Sequence, residues 1–113
     1  MPLLKRTVFC GQVNQEHLGS QITLNGWVHR RRDHGGVTFV DLRDRSGLVQ
    51  LVFDPVINND TATAAHALRS EYVIAVEGKV IMRSTASVND KMATGTIEVQ
   101  VSRLEILSKA IPL

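Results

Sequence analysis

The strongest constraint on this chain is a period of two. Five runs, over 21–32, 37–43, 48–53, 72–83 and 96–107, read as strands, and the alternation of apolar and polar residues is plainest in the first. In the first run Ile22, Leu24, Gly26 and Val28 take turns with Thr23, Asn25, Trp27 and His29. Such alternation, rich in β-branched residues, predicts strands with one face for a core and one for solvent. Asp33-His34-Gly35-Gly36 and Asp44-Arg45-Ser46-Gly47 separate the first three runs as turns, because glycine accepts positive φ. Gly78 inside the fourth run predicts a bend or bulge. One segment breaks the period. Over 58–70 the alanines Ala62, Ala64, Ala65 and Ala67, with Leu68, predict a helix capped by Asp60 or Thr61. A shorter helical turn over Val13–Leu18 has Asn14 as cap and Gly19 as stop.

Three strands, a helix and two strands is the chain order of an OB-fold, an all-β, five-stranded Greek-key barrel with a helix between strands 3 and 4. An α+β sandwich is the rival, but the glycines inside the two long strands suit a barrel whose strands must coil. OB barrels bind oligonucleotides across strands 2 and 3 and at the loops beside them. At 113 residues the chain makes one domain, over 1–113. No apolar run approaches the 18 or so residues of a membrane span, and Met1 to Arg6 lack the apolar stretch of a secretory signal. Cys10, the single cysteine, offers neither an internal disulfide nor a cysteine metal site, so a cytoplasmic home is expected.

The strand faces single out a surface. Thr38, Val40 and Leu42 form the better core face of the second strand, which places Phe39 outside with Val37, Asp41 and Arg43. The chain has only five aromatic residues, so a ring spent on the outside needs a reason. In the third strand Val49, Leu51 and Phe53 face inward and Gln50 outward; in the fifth, Ile97, Val99 and Val101 face inward, leaving Glu98 and Gln100 outside. An exposed ring offers a stacking surface to an unpaired base, worth roughly 1–3 kcal/mol per base. A glutamine can read a base edge as donor and acceptor, and a glutamate can accept from an exocyclic amine. Taken singly, Gln50 and Glu98 are what any solvated strand position carries, and Phe39 could lie under a loop. The run His29-Arg30-Arg31-Arg32 adds arginines at the rim, suited to phosphates or guanine edges. The net charge of +2 says little by itself, yet residues 29–45 hold five arginines and three aspartates and already sum to that value.

Catalysis finds no support in the motifs. His17, His29, His34 and His66 lack metal-ligand spacing, and neither a Gly-x-Ser-x-Gly elbow nor a Gly-Lys-Ser/Thr phosphate loop is present. Cys10 has no identified base beside it and reads as an inert thiol. Two other binding readings stay open on residues alone: a stand-alone single-stranded nucleic-acid-binding OB module, and an OB domain that binds protein.

The stretch from Gly26-Trp27-Val28-His29-Arg30-Arg31-Arg32-Asp33 through Phe39-Val40-Asp41-Leu42-Arg43-Asp44-Arg45-Ser46-Gly47 resembles the N-terminal anticodon-binding domain of bacterial aspartyl-tRNA synthetases. The likeness continues through Leu48–Pro55, Arg69–Tyr72 and Met92–Val99, and covers most of the chain from Cys10 onward. The resemblance implies that Phe39 stacks on the middle anticodon base, that Gln50 reads that base, and that Glu98 reads the last one. It implies that Arg32 and the following loop lie near the first base, and that Arg83 makes a backbone or base contact. The chain departs from the family at Ile81 and Ser87, where some members carry polar groups. His34 with the small Ala86 is similar to members that charge both tRNA(Asp) and tRNA(Asn), whose anticodons differ at the last base; a change without consequence is the alternative. The resemblance further implies a homodimeric parent that joins aspartate to tRNA through an aspartyl-adenylate, with ATP and Mg2+ bound in a class II catalytic domain. This chain would be one fragment of it, ending near the start of the linker.

Overall fold

A computed structural model describes residues 6–83 and 94–109. Five strands run in the expected order: β1 (Gln21–His34), β2 (Val37–Asp44), β3 (Gly47–Phe53), β4 (Val73–Met82) and β5 (Ile97–Ser108), with the helix α1 (Asn59–Ala65) between β3 and β4. They close into one barrel in the order β1-β2-β3-β5-β4, with β4 returning to β1. The β3–β5 pair is parallel and the others antiparallel. This is the OB-fold topology that the strand order predicts.

Alternation fills the barrel as expected. Leu24, Val28, Val40, Leu42, Val49, Leu51, Phe53, Ile97, Val99 and Val101 are buried in one core with Ile74, Val76 and Val80. Ala62, Ala65 and Leu68 from α1 and its exit close one end. A 3-10 turn at Cys10–Gln12 covers the other end, at the β2–β3 turn, where the Cys10 and Gly11 amides donate to Asp44 Oδ2 and Ser46 Oγ at 2.8 Å each. Burial there works to raise the Asp44 carboxyl, but hydrogen bonds from Ser46 and Cys10 outweigh it and hold Asp44 below the ordinary carboxylate range. Burial, reinforced by that carboxylate, pushes the Cys10 thiol far up, which fits the inert role expected of it.

Local expectations fare unevenly. The short turn lies at Gln15–His17 with Asn14 as its cap, as predicted. The helix cap does not: Asn58, rather than Asp60 or Thr61, accepts from the Thr61 amide at 3.0 Å, so Thr61 sits a turn inside. β1 runs on to His34, leaving a two-residue Gly35-Gly36 hairpin with both φ positive, the geometry that matches strand twist. A register shift between Glu77 and Gly78 confirms the expected bulge, and a second lies between Val28 and Arg30. Gly78 is required for space: a Cβ there would lie 2.4 Å from the Gln100 carbonyl oxygen. Among the described residues no helix is long and apolar enough to cross a membrane. Gly78→Ala is expected to destabilise the domain by about 1–3 kcal/mol, as overpacking does, read as a lower urea midpoint; an unchanged midpoint would show that β4 and β5 are not held this closely.

Candidate nucleic-acid interface

The outer surface of β2, β3 and β5 carries the residues set aside by alternation. Register puts Arg32 opposite Phe39, and Asp41 opposite both Arg30 and Gln50. β3 and β5 run parallel with Leu51 beside Val99, so Glu98 comes up next to Gln50. Arg32 Nη2 donates to Gln50 Oε1 at 2.8 Å, and Gln50 Nε2 donates to Glu98 Oε1 at 2.9 Å. The amide is thereby oriented by its neighbours. Turned the other way, it would set donor against guanidinium and acceptor against carboxylate. One lone pair and one N–H of Gln50 stay outside these two bonds.

Two more charges complete the cluster. Asp41 Oδ1 lies 3.5 Å from Arg32 Nη2, and Arg83 Nε donates to the Ile97 carbonyl at 3.0 Å within electrostatic reach of Glu98, Asp41 and Arg32. Two guanidinium groups thus face two carboxylates. Burial pushes the Glu98 carboxyl above its ordinary value of 4.5, against the hydrogen bond from Gln50 and the charge of Arg83. Burial also lowers Arg83, though an arginine stays charged at any working pH.

Phe39 is half-buried and stands outside the core cluster, on the outer face as predicted. Gln50 and Glu98 correct the solvated reading: Gln50 is only 4% exposed and Glu98 is half-buried, each held by a hydrogen bond. The three arginines of the basic run part company. Arg30 is exposed, and Arg32 joins Gln50. Arg31 turns to the helix end, donating to the His66 and Leu68 carbonyls at 2.9 and 3.1 Å and pairing with Asp33, so it is no rim contact. Its register partner is the core residue Val40, which aims it over the barrel end that α1 closes. His34 is exposed at the hairpin opposite Val37. Ile81 lies opposite Glu98, while Ala86 and Ser87 fall outside the described residues.

Nothing in the sequence gives a role to Asp41 or to two further rings outside the core cluster, Phe9 and Trp27. Phe9 and Trp27 line a groove of about 420 Å³ by the β2–β3 turn, and Arg6 and Arg45 lie 4.1 and 4.9 Å from the Phe9 ring centre. That groove shares no lining residue with the Arg32–Gln50–Glu98 chain. Among the described residues no group of His, Cys, Asp or Glu comes together as metal ligands.

Known proteins resemble this chain closely. It is 55% identical over 108 residues to an aspartate–tRNA ligase of Halalkalibacterium halodurans, covering 96% of this chain and 18% of that protein. It is 53% identical over 110 residues to an aspartate–tRNA(Asp/Asn) ligase of Magnetococcus marinus, covering 97% and 18%. The chain therefore spans under a fifth of the length of these relatives. Its fold matches asparaginyl-tRNA synthetase from Pyrococcus horikoshii, solved with asparaginyl-adenylate, with a TM-score of 0.75 and 29% identity over 93% of this chain and 23% of that one. Residues 22–107 match the tRNA anti-codon family of OB-fold nucleic acid binding domains. With its barrel closed and its polar chain assembled on the outer face of strands 2, 3 and 5, the protein belongs to that family.

Proposed function

We propose that residues 1–113 are the anticodon-binding domain of an aspartate–tRNA ligase and read the G-U-C anticodon loop of tRNA(Asp). The observation that carries this reading is the hydrogen-bonded chain Arg32–Gln50–Glu98 beside the half-buried Phe39 ring. Phe39 stacks on the middle base. Gln50, its amide already oriented, meets the edge of that base with its remaining N–H and lone pair. Glu98 accepts from the last base, while Arg32 and the His34 hairpin approach the first, and Arg83 makes a further base or backbone contact. The names of the relatives support a parent that ligates aspartate to tRNA; we extend this to a homodimeric, cytoplasmic class II enzyme that works through an aspartyl-adenylate, with ATP and Mg2+ in its catalytic domain. The domain itself supplies binding and orientation.

Whether tRNA(Asn) is also accepted falls to His34 and Ala86. Overall likeness does not decide this, since relatives named for one tRNA and for two stand at 55% and 53% identity. We favour the relaxed reading, in which both anticodons are bound.

Two measurements bear on the site. An anticodon stem-loop carrying G-U-C should bind more tightly at fixed salt than one with the middle base changed, and Phe39→Ala should cost about 1–3 kcal/mol of that affinity. Equal binding of the two loops would leave only a sequence-blind single-strand binder. The second concerns pH. Glu98 accepts hydrogen bonds as the carboxylate, and its carboxyl is held above 4.5. Affinity should therefore fall on acidification at higher pH than an ordinary glutamate would cause, and Glu98→Gln should remove that fall. For stability the sign is opposite: the folded state holds the Glu98 proton more tightly, so this contribution favours folding in acid and is lost as pH rises through the raised value. Identical pH profiles for wild type and Glu98→Gln would remove Glu98 from the contact.

A further inference from the structure

Asp41 is the one member of the polar cluster that neither the fold nor the base contacts above explain. It lies on the outer face of β2 between Phe39 and Arg43, yet it is only 8% exposed. Its Oδ1 is buried and makes no hydrogen bond; Arg32 Nη2 stands 3.5 Å away, and Arg83 lies within electrostatic reach. A buried carboxylate is costly unless its charge is answered. An acid in the middle of a surface meant for a polyanion also opposes binding by simple charge. The Oδ1 atom itself has almost no accessible surface, so a base cannot donate to it directly.

What it can reach is Arg32, and Arg32 sets Gln50. The Arg32 side chain is 38% exposed, and its guanidinium would be free to swing toward solvent or phosphate if nothing held it. While it stays, its Nη2 fills one lone pair of Gln50 Oε1 and keeps the amide from turning over against Glu98. Register makes the relay compact, because Asp41 stands directly across from Gln50 on the neighbouring strand. Resting on the anticodon reading above, we infer that Asp41 is a positioning residue for base discrimination. It holds the Arg32 guanidinium in place, and through it the orientation of the Gln50 amide, without touching RNA.

The test compares two stem-loops, G-U-C and a middle-base variant, on the whole chain. Their affinity ratio is the readout, since a loss of general charge attraction moves both affinities together. Asp41→Asn keeps the shape and removes the charge. It is expected to lower the ratio about threefold to tenfold, within the usual range of coupling between contacting residues. Added to Arg32→Gln, which already lacks the guanidinium, the same change should lower the ratio no further. A full ratio in Asp41→Asn, or fully additive losses in the double variant, overturns the inference. A second readout needs no variant and no RNA: in the free protein the Arg32 Nη nitrogens should give separate NMR signals, from slowed guanidinium rotation. One averaged signal for Arg32 overturns the inference even should Asp41→Asn fail to fold. If the wild-type chain binds both loops equally, the anticodon reading itself has failed and this inference falls with it. If the wild type discriminates and Asp41→Asn does too, only the role of Asp41 is lost.

Discussion

Closing five strands on themselves leaves room inside for only one residue in two. A barrel this small is filled by its own side chains, and here the inner set is almost wholly aliphatic, with Phe53 as the one fully buried ring. Every neighbour of those residues must then face outward, whatever its chemistry. Closure also demands close passage of backbones, which is why Gly78 meets the Gln100 carbonyl and Gly26 the Arg43 carbonyl at distances no side chain allows. The inward set holds the fold together; the outward set is left to do something else.

On β2, β3 and β5 that outward set is unlike an ordinary solvated face. Gln50, 4% exposed, is buried as deeply as the core residue Ile22 at 5%, and its amide is hydrogen-bonded on both sides. Holding polar groups in this way carries a desolvation cost, visible in the raised Glu98 carboxyl. It also means that little ordering of these side chains is left for the binding step, and preorganisation of that kind reduces the cost of association. The arginines show the same economy. Only some of the basic run faces outward, because Arg31 completes the carbonyl ends of the helix instead.

Much of the fold was legible in the sequence because alternation, turn glycines and the alanine-rich segment are local signals. The Phe39 face followed from parity along a single strand. What stayed hidden depends on contacts distant in sequence. Gln50 and Glu98 are 48 residues apart, and nothing in either strand alone says that a parallel β3–β5 pair will set them side by side. The difference between Arg31 and Arg32 likewise needs the place of α1, which local pattern does not supply. The helix cap was misplaced for a smaller reason: the chain enters α1 from the Asp54 turn, whose carbonyl accepts from the Asn58 amide, and this sets Asn58 rather than Asp60 at the helix start.

The central claim is that the oriented Gln50 amide is the group that meets the base. The most direct check follows the two side-chain N–H signals of Gln50 by NMR while the G-U-C stem-loop is added. One proton is already bonded to Glu98 in the free protein, so the account expects the other to shift downfield and to gain contacts to the middle base. Changes confined to the Arg6–Phe9–Arg45 groove, with both Gln50 signals unmoved, would contradict it.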